Sequence, residues 1–123
     1  MPDYDPDNVF ARILRGEIPN RTVLETEHAL AFHDIAPQAP IHAMVIPKGP
    51  YVDLADFAAN ASAMEQAGFL AAVAEAVRML GLEEPGFRAI ANAGGHGHQE
   101  VPHFHLHLMG GRPMGPMLAP VGG

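Results

Sequence analysis

The sequence predicts an α+β domain in which an antiparallel sheet of about five strands is backed by one long helix. Three observations carry that expectation. Phe69, Leu70, Val73, Val77 and Leu80 recur at three- and four-residue intervals, behind a Ser62-x-x-Glu65 capping box and ahead of Gly81. Short β-type runs bounded by proline, glycine and polar residues lie on both sides of that helix. Near the C-terminus, His103 to Leu108 alternates strictly between histidine and apolar residues, the period of a strand.

Taken in order, residues 1–6 are polar with two prolines and are expected to be poorly ordered, as are residues 121–123, so a single domain is expected over 7–120. Asp7-Asn8 precede Val9, Phe10, Ile13 and Leu14 at helical spacing, and Gly16 stops that short helix. Thr22–Glu25 and Ala29–His33 read as a hairpin around Thr26-Glu27-His28. Pro37 and Pro40 force a loop over residues 34–40, and Ala43–Pro47 reads as a buried strand. After the long helix, Gly86–Ala91 and Val101–Met109 are the last two strands, joined by a glycine- and histidine-rich loop over Asn92–Glu100.

Composition narrows the function. Cysteine is absent, which excludes disulfide frameworks, thiol nucleophiles and Cys-based zinc sites, and fits a reducing compartment. No apolar run reaches the ~18 residues of a membrane span, and the first thirty residues hold no signal-peptide core, so a cytoplasmic location is expected. A net charge of −7 argues against nucleic acid as partner, although a few imidazoles and backbone N–H groups can still hold one small phosphate.

The informative segment is His103-Phe104-His105-Leu106-His107-Leu108. On a strand the three histidines share a face at roughly 6.5–7 Å spacing, close enough to surround one anionic group. Three readings compete. The face could be a solvated one whose polar positions happen to be histidine. It could be half of a metal site completed by His42, Asp34 or Glu100. Or it could perform nucleophilic catalysis at phosphorus. Neutral imidazole, with an unperturbed pKa of about 6.5, is a competent nucleophile near pH 7. A covalent phosphoimidazole divides one difficult displacement into two easier ones.

These residues resemble the His-x-His-x-His-x-x signature of the histidine triad superfamily of nucleotide hydrolases and transferases. The resemblance runs from about Asp7 to Pro120. Residues 9–19 (VFARILRGEIP), 31–42 (AFHDIAPQAPIH) and 110–119 (GGRPMGPMLA) resemble the nucleotide-binding Hint branch, in the same order. The resemblance implies the histidine triad fold and a homodimer. It implies hydrolysis of a purine nucleoside 5′-phosphoramidate, such as an AMP–amine or AMP–lysine linkage, with AMP or GMP as the nucleotide and neither metal nor other cofactor. By position, His105 would be the nucleophile, His107 would contact the phosphate, and His103 would work with His42 in a proton relay. Asp34 would accept from the ribose hydroxyls. Val9, Phe10, Ile13, Phe32, His33 and Ile35 would form the purine pocket. Asn92, Gln99 and the backbone of Glu100 and Val101 would hold the phosphate and leaving group. On pattern alone Phe10, Ile13 and Phe32 read as core, Asp34 as a turn residue and His42 as a core histidine.

The chain also departs from the family pattern. Glu100 stands where many animal members have serine, and a carboxylate beside phosphate repels it. His98 stands where glycine is common, and when protonated it would offset Glu100. No tryptophan lies near the C-terminus. Two alternatives accompany the phosphoramidase reading: a dinucleoside polyphosphate hydrolase using the same residues, and a nucleotide-binding adaptor with vestigial hydrolysis.

Overall fold

The computed structural model describes residues 3–118. It is an α+β fold in which five antiparallel strands run in the order β1-β2-β3-β5-β4: β1 Thr22–Glu25, β2 Ala29–His33, β3 Ile41–Pro47, β4 Arg88–Ala91 and β5 Leu106–Gly110. Helices α1 Val9–Leu14, α2 Leu54–Asn60 and α3 Ala63–Met79 complete it.

Alternation along the strands decides what each face of the sheet carries. From β2, Ala29 and Ala31 point to one face; Val45 of β3 and Leu108 of β5 join them, and α3 covers them with Phe69, Ala72, Ala76 and Val77. The small alanines on both sides let helix and sheet approach closely. Phe104 enters the same layer, with its ring 5.2 Å from Phe57 and 5.1 Å from Phe69 between centroids. Leu30 and Phe32 of β2, with Met44 and Ile46 of β3, point the other way and meet Phe10 of α1. Because α1 is only six residues long, it covers part of that face and leaves room for a cleft.

Local chemistry accounts for the helix ends. Asn8 caps α1 by accepting the Ala11 N–H at 2.9 Å. The expected capping box at α3 is complete: Ser62 accepts from the Glu65 N–H, and Glu65 reaches back to the Ser62 N–H, both at 3.1 Å.

Helix α2 is absent from the sequence reading. It is capped by Asp53 and buries only Phe57, so it leaves no periodic stripe in the sequence. The final strand is also shorter than expected, starting at Leu106 rather than Val101. Pro102 has no N–H for a ladder. The His103 N–H turns back to Val101 O, and the Phe104 N–H bonds to Tyr51 O, so this stretch is tied to the loop before α2. Residues 3–6, expected to be poorly ordered, are placed against the domain: the Asp5 carbonyl accepts from Asn8, and the Tyr4 hydroxyl reaches His103. Residues 121–123, likewise expected to be poorly ordered, lie outside the described residues, as do 119 and 120.

Candidate active site

The uncovered part of the α1 face is a cleft of about 430 Å³. Helix α1 contributes Val9, Phe10 and Ile13, and the end of β2 and the loop after it contribute Phe32, His33, Asp34 and Ile35. The loop after β4 contributes Asn92, His98, Glu100 and Val101, and His105, just before β5, and His107 within it form the floor. Phe10 and Phe32 meet edge to face at 5.5 Å, and Phe10 stands edge-on to His105 at 5.0 Å. Ile35 is 96% exposed, an apolar side chain on the rim. One wall is thus apolar and the floor carries imidazoles.

Hydrogen bonds assign a tautomer to each imidazole, because a carbonyl can only accept and a backbone N–H can only donate. His105 Nδ1 lies 2.7 Å from the His103 carbonyl, so Nδ1 carries the proton and Nε2 a lone pair. His42 Nδ1 accepts the Gln38 N–H at 3.0 Å, which places the ring proton on Nε2. That Nε2–H faces His107 Nδ1 at 2.9 Å, with Asp34 Oδ2 3.4 Å away. His107 therefore accepts through Nδ1 and presents Nε2–H. Among the described residues, the floor offers a lone pair at His105 beside an N–H donor at His107, with ring centroids 5.0 Å apart.

His103 is placed differently from expectation. It is fully buried, lines no part of the cleft, and makes no bond to His42. Its Nε2–H donates to the Pro47 carbonyl at 2.8 Å, and its Nδ1 accepts from the Tyr4 hydroxyl at 2.7 Å. Its ring lies on the same side as His105, edge-on to Phe10 at 6.4 Å, but it is closed off from the cleft because Tyr4 and Pro47 take both of its nitrogens. His42 pairs instead with His107, because the β3–β5 register sets Met44 opposite His107 and puts His42 two residues away on the same face.

Gln99 is also displaced from its expected role. Its amide donates to the Val52 and Val101 carbonyls, and its oxygen accepts from the Gly94 N–H. It pins the loop rather than facing a ligand. Asn92 lines the cleft while donating to the Gly97 carbonyl at 2.7 Å. Gly97 itself leaves no room for a side chain, since a Cβ there would lie 2.3 Å from the Ala93 oxygen. His98 and Glu100 touch at 3.1 Å, both largely exposed at the mouth.

Asp34, His42 and His107 offer ligand atoms within 4.8 Å of one another, the grouping a metal site needs. The tautomer of His42 gives them another use. With Nδ1 taken by Gln38, Nε2 presents a proton rather than a lone pair, and a cation could enter only by displacing it. Sequence reasoning did not find the part played by Gln38, which acts through its backbone, nor that of Tyr4, which sits in a segment without periodicity.

Burial holds all three histidines of the signature below the ordinary imidazole pKa: His103 and His107 at about 4, and His105 lowered with partial compensation from its bond to the His103 carbonyl. Each is neutral at pH 7. For His103 this links stability to pH. An unfolded imidazole takes up its proton at about pH 6.5, whereas the folded one resists until about pH 4, so stability is full above pH 6.5 and lost as pH falls toward 4. The difference corresponds to ~3 kcal/mol. Urea midpoints should therefore drop between pH 6.5 and 4, less steeply for His103→Asn, which cannot take up the proton; equal slopes would contradict the assignment.

Comparison with known proteins decides the family. Residues 15–114 match the HIT domain model. The chain belongs to the HIT domain family. Its relatives span nearly the same length as this HIT domain. An uncharacterized 13.2 kDa HIT-like protein of Azospirillum brasilense is 62% identical over 115 residues, covering 94% of both chains. The purine nucleoside phosphoramidase of Escherichia coli K12 is 42% identical over 115 residues, covering 92% of this chain and 94% of that one. Among solved structures, a HIT family hydrolase from Clostridium thermocellum superposes with a TM-score of 0.83 at 34% identity, covering 92% and 97%. A histidine triad protein from Clostridium difficile gives 0.81 at 33%, covering 94% and 100%.

Proposed function

We propose that this HIT domain hydrolyses purine nucleoside 5′-phosphoramidates through a covalent nucleotidyl-His105 intermediate. One observation carries the reading: the Nδ1–H of His105 is donated to a backbone carbonyl, which leaves an Nε2 lone pair at the floor of a cleft sized for a nucleotide. The phosphoramidase relative supports the choice of P–N bond.

The base would enter the slot of Val9, Phe10, Ile13 and Phe32, with His33 and Ile35 at its edge, and Asp34 would accept from the ribose hydroxyls. In the first step the Nε2 lone pair of His105 forms a bond to phosphorus and the P–N bond breaks. The amine takes a proton from solvent as it leaves through the open mouth. The nucleotidylated ring keeps its Nδ1–H and is cationic, and the His103 carbonyl that already accepts this hydrogen stabilises the added charge. His107 Nε2–H donates to a phosphoryl oxygen throughout. Water then adds at phosphorus, the N–P bond breaks, a proton is released, and neutral His105 and a nucleoside monophosphate are recovered. The His42–His107 pair holds a donor in place rather than relaying protons, because a second transfer would leave His42 as an imidazolate.

We further propose a cytoplasmic homodimer. No helix among the described residues is long and apolar enough to cross a membrane. β4 is an edge strand, and Phe87 beside it and Leu70 of α3 expose apolar surface.

The test compares turnover on an AMP–lysine phosphoramidate and on a diadenosine polyphosphate, with rapid quench and peptide sequencing of trapped protein. The expected result is faster cleavage of the phosphoramidate and nucleotide on His105. Preference for the polyphosphate favours the dinucleoside hydrolase. Tight AMP binding with no turnover of either favours the adaptor.

A further inference from the structure

Tyr4, the hydroxyl partner of the buried His103 ring, lies outside every residue assigned to the cleft. We propose that Tyr4 is a positioning residue for the reaction, its hydroxyl fixing His103 so that the His103 carbonyl holds His105 in the nucleophilic tautomer. The inference rests on the phosphoramidase reading for its kinetic consequence, but not for its structural content.

The His103 ring is fully buried and its two nitrogens have different partners. Nε2–H is committed to the Pro47 carbonyl, so Nδ1 can only accept, and the Tyr4 hydroxyl at 2.7 Å is the donor it uses among the described residues. The Tyr4 ring also packs edge-on against the imidazole at 5.6 Å. The His103 backbone oxygen then accepts His105 Nδ1–H at 2.7 Å. Tyr4 therefore acts on the nucleophile through one intermediate residue: hydroxyl to ring, ring to backbone, and backbone carbonyl to the nucleophile's far nitrogen.

The N-terminal arm is held for this task. The Asp5 carbonyl accepts the Asn8 amide at 2.8 Å, and the Asn8 side-chain oxygen caps α1. The arm that carries Tyr4 is thus stitched to the helix that carries Phe10. Phe10 stands edge-on to both His103, at 6.4 Å, and His105, at 5.0 Å. Loss of the Tyr4 hydroxyl leaves a buried Nδ1 without a donor, and an unmet acceptor in that position drives the ring to turn or to take up a proton. Either change moves the carbonyl that sets the tautomer of His105.

Tyr4→Phe keeps the ring and removes only the donor. Expected are a fall in kcat of about tenfold on an AMP–alkylamine phosphoramidate, KM within about twofold, and AMP affinity unchanged. The decisive readout is ¹⁵N NMR of histidine-labelled protein at pH 7.5. Wild type should show His105 protonated at Nδ1 alone, and Tyr4→Phe should show a second population protonated at Nε2. Rates are normalised to the folded fraction from thermal melts, so a stability loss cannot imitate the effect. An unchanged His105 tautomer overturns the proposal, whatever happens to the melting temperature; so does an unchanged kcat. Should wild type fail to cleave any phosphoramidate, the proposed activity falls, while the NMR comparison still decides the role of Tyr4.

Discussion

His105→Ala is expected to lower kcat on an AMP–amine phosphoramidate by about 10⁴-fold or more, because among the described residues no other group on the cleft floor presents an unprotonated nitrogen toward phosphorus. AMP binding should survive nearly intact. The base slot is built by α1 and β2, and the donor at His107 is set by His42, so neither depends on the His105 lone pair. Isothermal titration with AMP and single-turnover kinetics separate the two quantities. Retention of more than about one-hundredth of wild-type kcat would remove His105 from its assigned role.

The extent to which this site could be read from sequence follows from which interactions carry a periodic or compositional mark. The long helix was legible because Ser62 and Glu65 bracket its start and its apolar positions repeat at the helical interval. The hairpin strands were legible to their end residues, because Thr26-Glu27-His28 separates two runs of uniform character. The histidine alternation correctly placed His105 and His107 on one face and Phe104 and Leu108 in the helix-facing core. It gave no sign that His103 is closed off from the cleft, because the partners of its ring, the Tyr4 hydroxyl and the Pro47 carbonyl, come from distant parts of the chain. His42 was recognised by resemblance, but its partner was not, since partner choice depends on register between β3 and β5, two strands more than sixty residues apart. Gln99 carries a side chain suited to holding phosphate, yet its amide is consumed by the Val52 and Val101 carbonyls, contacts that no local pattern encodes. The tautomers are the least legible feature of all. They are written in three backbone groups, the His103 and Pro47 carbonyls and the Gln38 N–H, whose side-chain identities carry no trace of the role.

His107→Ala tests the other half of the floor. The His107 Nε2–H is held in the cleft because Nδ1 is occupied by the His42 Nε2–H at 2.9 Å, and His42 is fixed in turn by the Gln38 N–H. This donor needs no reorganisation as negative charge develops on the phosphoryl oxygens, the condition under which a single hydrogen bond contributes most to rate. Its removal is expected to lower kcat by about 10²–10³-fold, with a smaller rise in KM. His107→Gln, which restores an N–H donor but not its fixed direction, should recover about tenfold of that loss. The pH dependence separates the two histidines. His107 is held near a pKa of about 4 by burial and by its histidine neighbours, so its donor form persists unchanged through pH 5–8. Protonation of His105 removes the attacking lone pair, and its pKa is lowered by burial from the usual 6.5. The acid limb of kcat/KM should therefore lie below pH 6.5, report His105 alone, and persist at the same position in His107→Gln. A limb that moved upward or vanished in that variant would reassign the titration, and His107→Ala retaining more than about a third of wild-type kcat would mean that charge on the phosphoryl oxygens is stabilised from elsewhere.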